Sequence, residues 1–288
     1  MNEGKLESPV ILRMQQLELW RARSVVVRDL SLQLRAGQIL ALTGEYGAGM
    51  SAVAQAAAAL AVRRGLRVSG GSIWLDAEDL AALPEKKLRV IRQQQVVYLH
   101  RQSIPWLNPL RTVREFLQEA GDWQARGQLE PAAPNMLQNL YQVGLAEPES
   151  VLDRLPRDLQ PEVLNRVLIA MVLQVGAKLL VIDEMTALLD ATVQQQILEL
   201  LVELKNRRNL AILWVTHQPG LIEAVADEVL VMFEGRVIEQ GSLADILAAP
   251  KQAYTQALMG CAVRLGEERL RLTEISEADR QTVRDIVT

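Results

Sequence analysis

Residues 44–51, GEYGAGMS, stand between an apolar run, QILAL from residue 38, and an alanine-rich run, SAVAQAAAALAVRRG from residue 51. A buried strand, a glycine-rich turn and a helix in that order restrict the chain to a narrow set of α/β folds. Gly44, Gly47 and Gly49 let the backbone bend so that successive amide N–H groups converge, and the following helix adds the positive end of its dipole. Anionic phosphate is the natural occupant of such a turn. Ser51 stands where a hydroxyl ligates Mg²⁺, and Met50 stands where loops of this pattern carry lysine.

The rest of the chain supports a sheet behind that loop. Alternating or continuous apolar residues predict strands at 11–19, 25–34, 38–44, 71–76 and 96–100. The first two suggest an antiparallel sheet leading into the buried strand. The helix after the loop is expected to run to Gly65, and residues 84–95 form a further charged helix. Between residues 111 and 155 only helical patterns occur, which implies a helical lobe inserted into the α/β core. Beyond it a helix at 162–176 leads to KLLVIDE, a helix at 192–208 to LAILWVTH, and a helix at 221–226 to the strands EVLVMF and RVIEQG. Helices alternating with fully apolar strands indicate a parallel sheet covered on both faces. The charged tail after residue 265 is expected to form a peripheral helix.

Two of those strands end in residues with chemistry. LLVIDE delivers Asp183 and Glu184 to the edge of the sheet where ligands of open α/β folds bind, facing the glycine loop. That is the layout of metal-assisted phosphoryl transfer, with Asp183 and Ser51 at the metal and Glu184 orienting or deprotonating the attacking water. His217, one of two histidines, ends LAILWVTH and can hydrogen-bond a terminal phosphate.

Composition excludes several alternatives. A net charge of −4 offers no basic face for nucleic acid, and the small clusters Arg63, Arg64, Arg67 and Lys205, Arg207, Arg208 suit solvated helix ends. The single cysteine, Cys261, excludes an internal disulfide and a cysteine-ligated cluster. No apolar run approaches the ~20 residues that span a bilayer, and the first ten residues have no apolar core for a signal peptide.

With loop, carboxylate strand and histidine strand in order, the chain resembles the ATP-binding subunits of ATP-binding cassette (ABC) transporters from about residue 11 to 259, and within them the bacterial oligopeptide, dipeptide and nickel importer branch. The resemblance is carried by SLQLRAGQILALTGEYGAGMS, WLNPLRTV (106–113), LLVIDEMTALLDATVQQQILELL and PKQAYTQALM (250–259). It implies a P-loop NTPase (RecA-like) core with an antiparallel β-subdomain and an inserted helical subdomain, about 103–165. The cassette would occupy residues 1–260 and a C-terminal extension 261–288. It further implies ATP and Mg²⁺ as ligands, with Gly44, Glu45, Tyr46, Gly47, Ala48, Gly49, Met50, Ser51 and Ala52 around the nucleotide. Ser51 and Asp183 would hold the metal; Glu184 and His217 would be catalytic.

The same resemblance marks departures. The family's loop lysine corresponds to Met50, and its metal-sensing glutamine to Arg101, with Gln102 alongside. Its Leu-Ser-Gly-Gly-Gln signature, which binds ATP on the opposite subunit, is replaced by LQPEV: Pro161 has no N–H to donate and Glu162 brings negative charge. The family's adenine-stacking aromatic falls beside Trp20. These losses imply weak nucleotide and Mg²⁺ binding in the degenerate member of a heterodimer beneath membrane permease subunits. It would lie on the cytoplasmic side of the inner membrane, serve a solute-binding protein for peptide, nickel or metallophore uptake, and bind no nucleic acid. A pseudo-ATPase with a purely structural or regulatory role is the alternative.

Overall fold

The computed structural model describes residues 8–101, 103, 107–125, 136–186, 189–261 and 275–287. Gln102 and Trp106 lie outside the described residues. Two sheets form the body. In the first, β1 (Val10–Arg21) pairs antiparallel with β2 (Ser24–Arg35) and β4 (Leu66–Leu75), and the short β5 (Glu78–Asp79) extends the edge. Leu30, Leu32 and Leu34 of β2 are buried while the residues between them face solvent, the alternation expected of a half-covered sheet. The strand that the pattern begins at Gly71 starts five residues earlier. Gly71 has φ +76°, and a Cβ there would lie 2.3 Å from the Gln15 carbonyl oxygen, so the glycine marks a bulge inside the strand rather than its start.

The second sheet is the parallel one. β3 (Ile39–Gly44) lies between β8 (Ala211–Thr216) and β9 (Glu228–Phe233), and β7 (Leu179–Asp183) and β6 (Val96–His100) follow outward from β8, all parallel. Only β10 (Arg236–Ser242), on the far edge, runs antiparallel. Every residue of β3, β7 and β8 is buried, which is why these strands read as unbroken apolar runs. Successive side chains point to opposite faces. Leu42, Val181, Leu213 and Val215 join a core with α1 (Met50–Ala57) and the antiparallel sheet, whereas Leu180, Ile182, Ile212 and Trp214 join a core with α6 (Pro161–Val175) and α7 (Ala191–Arg208).

The expected helical lobe is present. After α2 (Glu85–Gln94), the helices α3 (Val113–Ala125), α4 (Met136–Gln142) and α5 (Pro148–Leu152) follow one another, and α3 and α4 lie against α6. Helix α8 is shorter than its sequence suggests, Pro219–Ile222, and α9 (Leu243–Ala248) and α10 (Ala253–Gly260) come after β10. Helix α1 stops at Ala57 instead of running to Gly65. Ala59 takes φ 56°, its N–H bonds to the Ala56 carbonyl at 3.0 Å and that of Leu60 to the Gln55 carbonyl at 2.8 Å. That paired pattern terminates a helix at a left-handed residue, here without the usual glycine.

The C-terminal helix α11 (Glu277–Val287) lies at the periphery and docks on the body. Val283 is buried with Phe233 and Tyr254, and the Arg284 guanidinium lies over the Phe233 ring. Lys205 also departs from the expectation of a solvated charge. It is buried near the end of α7 and donates to both oxygens of Asp227, at 2.9 and 3.1 Å.

Candidate functional site

The parallel strands deliver their C-terminal ends to one edge: Gly44 from β3, His100 from β6, Asp183 from β7 and Thr216 from β8. The glycine loop crosses that edge before α1. Gly44 (φ +157°) passes so close to β9 that a Cβ would meet the Met232 carbonyl oxygen at 2.3 Å. Gly49 (φ +96°) caps α1 with no side-chain partner, and a Cβ there would meet the Val26 carbonyl oxygen at 2.4 Å. Both positions admit glycine alone. The first amides of α1, from Met50 onward, therefore open into the crevice with the helix dipole behind them.

A cavity of about 600 Å³ lies under the loop, a size typical of small-ligand sites. Tyr46, Gly47, Ala48, Gly49, Met50, Ser51 and Ala52 line one wall, and Asp183, Glu184 and His217 the other. The Ser51 hydroxyl donates to Asp183 Oδ1 at 3.1 Å, so the two groups expected at a metal are adjacent. Glu184 takes the left-handed conformation, φ 57°, and its Oε1 accepts the His217 backbone N–H at 2.6 Å. Burial pushes the Glu184 carboxyl up, opposed by that N–H. The His217 ring is fixed in turn, with Nδ1 2.7 Å from the Gly44 carbonyl oxygen and the exposed Tyr46 ring stacked at 3.8 Å.

Glu45, the other expected loop residue, faces away from the cavity. Its backbone N–H donates to the Tyr254 hydroxyl at 3.1 Å, and its carboxylate accepts both nitrogens of the Arg280 fork at 3.0 and 2.7 Å. The loop is thus anchored from behind by α10 and α11. Met50 is 2% exposed and belongs to the apolar core around α1, but it also borders the cavity, which retains room for a polyphosphate.

Several lining residues escape a motif reading. Arg21, Gln55, Arg64, Tyr98 and His100 border the cavity with Arg101. Arg64, expected at a solvated helix end, turns toward the site. Arg21 lines the cavity, whereas its neighbour Trp20 donates to Glu18 at 2.7 Å beneath the Arg67 guanidinium and does not. Tyr98 donates from β6 to Asp183 Oδ2 at 2.7 Å, and burial followed by the Asp183 charge pushes its phenol strongly up. A divalent ion would find hard oxygen donors in Ser51 and Asp183. Both carboxylate oxygens already accept protein hydroxyls, and among the described residues no three His, Cys, Asp or Glu side chains cluster as metal ligands. The donors are right in kind, but the pair needs phosphate oxygens to complete any metal shell.

The stretch LQPEV, residues 159–163, expected where the family has its signature, lies at the start of α6, outside the cavity lining. Gln160 caps the helix, Pro161 occupies its first turn and Asn165 Nδ2 donates to the Pro161 carbonyl at 2.8 Å. Glu162 lies 3.4 Å from the Arg166 guanidinium and complements its own helix dipole.

A glycine loop capping a helix, opposed by strand-end carboxylates across a parallel sheet, defines a phosphate-loop nucleotide-binding domain. A family model described as ABC transporter matches residues 27–187, more than half of the chain, and the chain belongs to that family as an ATP-binding domain. It is 36% identical over 238 residues to the peptidoglycan transport ATP-binding protein YejF of Agrobacterium fabrum, covering 83% of this chain and 44% of that protein. It is 34% identical over 249 residues to the dipeptide transport ATP-binding protein DppD of Haemophilus influenzae, covering 86% and 75%. The probable peptide ABC transporter ATP-binding protein y4tR of Sinorhizobium fredii is 32% identical over 229 residues, with coverages of 80% and 68%. The chain spans less than half the length of YejF and more than two thirds of the other two. Among solved structures, the ATP-binding cassette MJ0796 in a dimer bound to ADP and Pi superposes with a TM-score of 0.68 at 19% identity, covering 81% of this chain and 98% of that one. CbiO1 of Clostridium perfringens, part of the cbiONQ ABC transporter complex, gives 0.68 at 24% identity, with coverages of 83% and 91%. These two likenesses concern the fold.

Proposed function

We propose that the chain is the ATP-binding subunit of an ABC importer for peptide-like solutes, coupling nucleotide binding to a membrane permease as the degenerate partner in a heterodimer of ATPase subunits. The observation that carries this reading is the convergence of the glycine loop, Ser51, Asp183, Glu184 and His217 on one cavity. The relatives favour the solute class: YejF, DppD and y4tR are named for peptidoglycan, dipeptide and peptide transport, and none of the three for nickel or a metallophore. Among the described residues no helix is long and apolar enough to cross a membrane, so the subunit would act peripherally, on the cytoplasmic face beneath a permease served by a solute-binding protein.

The chain's own residues support the following roles. Loop amides and Ser51 hold the phosphates, His217 holds the terminal phosphate, and Glu184 orients the attacking water, which its raised proton affinity favours. Ser51 and Asp183 are the groups that would hold a magnesium ion, and only weakly, because both Asp183 oxygens already accept protein hydroxyls. Met50 supplies no cation, Pro161 has no N–H to offer a partner's nucleotide and Glu162 brings negative charge beside it, which favours slow turnover. The same facts favour the second reading, a pseudo-ATPase that binds nucleotide or a partner without hydrolysis.

The test is turnover in the complex reassembled with its permease and second ATPase subunit. Under the first reading Glu184→Gln in this chain lowers ATP turnover by about 100-fold at its own site. Turnover identical in wild type and variant, with nucleotide still bound, leaves the pseudo-ATPase.

A further inference from the structure

We propose that this cavity takes its nucleotide uncomplexed by a divalent cation, with Tyr98 holding Asp183 away from a metal and arginines supplying the positive charge. The inference rests on the nucleotide-binding reading above and specifies the chemical form of the ligand.

The first observation is the state of Asp183. The carboxylate is 6% exposed, and each of its oxygens accepts a hydroxyl: Ser51 Oγ at 3.1 Å on Oδ1 and Tyr98 at 2.7 Å on Oδ2. A hydroxyl donating to a buried carboxylate forms a charge-assisted bond, stronger than one between neutral groups. Tyr98 stands in β6 opposite Val181 of β7, two residues before Asp183, and its half-buried ring reaches the carboxylate from the neighbouring strand. Asp183 is therefore satisfied by protein groups before any ligand arrives. Tyr98 acts through it as a positioning residue.

The second observation is independent and concerns charge. Among the described residues three arginines, Arg21, Arg64 and Arg101, line the cavity with two carboxylates, Asp183 and Glu184. They come from the end of β1, from the turn before β4 and from the end of β6, so they approach from separate elements. A guanidinium binds phosphate through two parallel N–H bonds and cannot deprotonate. With methionine in the loop and the metal-side carboxylate engaged, these arginines offer, among the described residues, permanent positive charge to a polyphosphate. Arg21, which donates to Gln55 Oε1 at 3.3 Å, can offer its planar face to a nucleobase.

If Tyr98 merely satisfies a buried carboxylate, removing its hydroxyl lowers stability and leaves the metal dependence of binding untouched. Equilibrium titration of the full chain with a fluorescent ATP analogue, once in excess Mg²⁺ and once in excess chelator, separates the two roles. The wild-type Kd is expected to differ by less than about threefold between the two buffers. Tyr98→Phe, which frees Asp183 Oδ2, should bind at least about tenfold tighter with Mg²⁺ than without. Arg64→Gln and Arg101→Gln should weaken binding equally in both buffers. A wild-type affinity that falls tenfold or more on chelation overturns the inference while leaving the nucleotide reading intact. So does a folded Tyr98→Phe protein that remains indifferent to Mg²⁺. Absence of saturable binding in either buffer sinks the nucleotide reading and this inference together. The wild-type comparison needs no variant and decides the matter even if Tyr98→Phe fails to fold.

Discussion

Restoring a cation to the loop isolates what Met50 removes. A lysine ammonium 4 Å from a phosphate oxygen gains ~4 kcal/mol at an effective dielectric near 20. Against that stands the loss of rotamer freedom in the lysine side chain, up to about 2 kcal/mol. The site eases the exchange: Met50 is buried in apolar surroundings that suit the lysine stem, and it borders a cavity holding Asp183 and Glu184, toward which the head group can extend. Met50→Lys should therefore gain about 2 kcal/mol of nucleotide binding, roughly 30-fold in Kd. Titration calorimetry of wild type, Met50→Lys and the volume-conserving Met50→Leu measures it, and Met50→Leu should bind as wild type does. If Met50→Lys stays folded, with its thermal midpoint unchanged, and binds within about twofold of wild type, then the loop does not meet phosphate and the reasoning fails.

Three further outcomes follow from the geometry. Trp214→Ala empties a side chain that is 2% exposed between β8 and the helices and should cost about 3–5 kcal/mol in urea unfolding; a loss below about 1 kcal/mol contradicts the packing described. Gly49→Ala forces a Cβ to 2.4 Å from the Val26 carbonyl at φ +96°, so it should destabilise the chain by about 2 kcal/mol or more and weaken nucleotide binding, whereas a neutral result places the loop elsewhere. Arg280→Ala releases the Glu45 carboxylate from its two bonds, and backbone amides of the glycine loop should then exchange hydrogen faster while β7 and β8 stay as protected as in wild type.

The parallel core was legible because its strands are buried on both faces, so β3, β7 and β8 read as apolar runs between helices. The strand-end positions of Asp183, Glu184 and His217 followed from that topology. What sequence concealed depends on local chemistry that other residues imitate. Ala59 ends α1 in a conformation usually signalled by glycine, and Gly71 signals a strand's beginning while sitting at a bulge. Lys205 looks like a solvated charge because its partner, Asp227, lies 22 residues away in sequence. Tyr98, Arg21 and Arg64 belong to no spaced motif; β6, β1 and the turn after α1 bring them to the cavity only once the sheets are assembled. Arg280 reaches Glu45 across 235 residues, a pairing no local pattern records.

Hydrogen–deuterium exchange of the purified chain with and without ATP tests most directly whether the cavity under the glycine loop is where nucleotide sits. Protection concentrated in peptides that span residues 44–52 and the strand end at 183–184, with α4 and α5 unchanged, is the predicted result. Saturating ATP that leaves the loop amides unprotected, or that protects the helical lobe instead, would contradict the account.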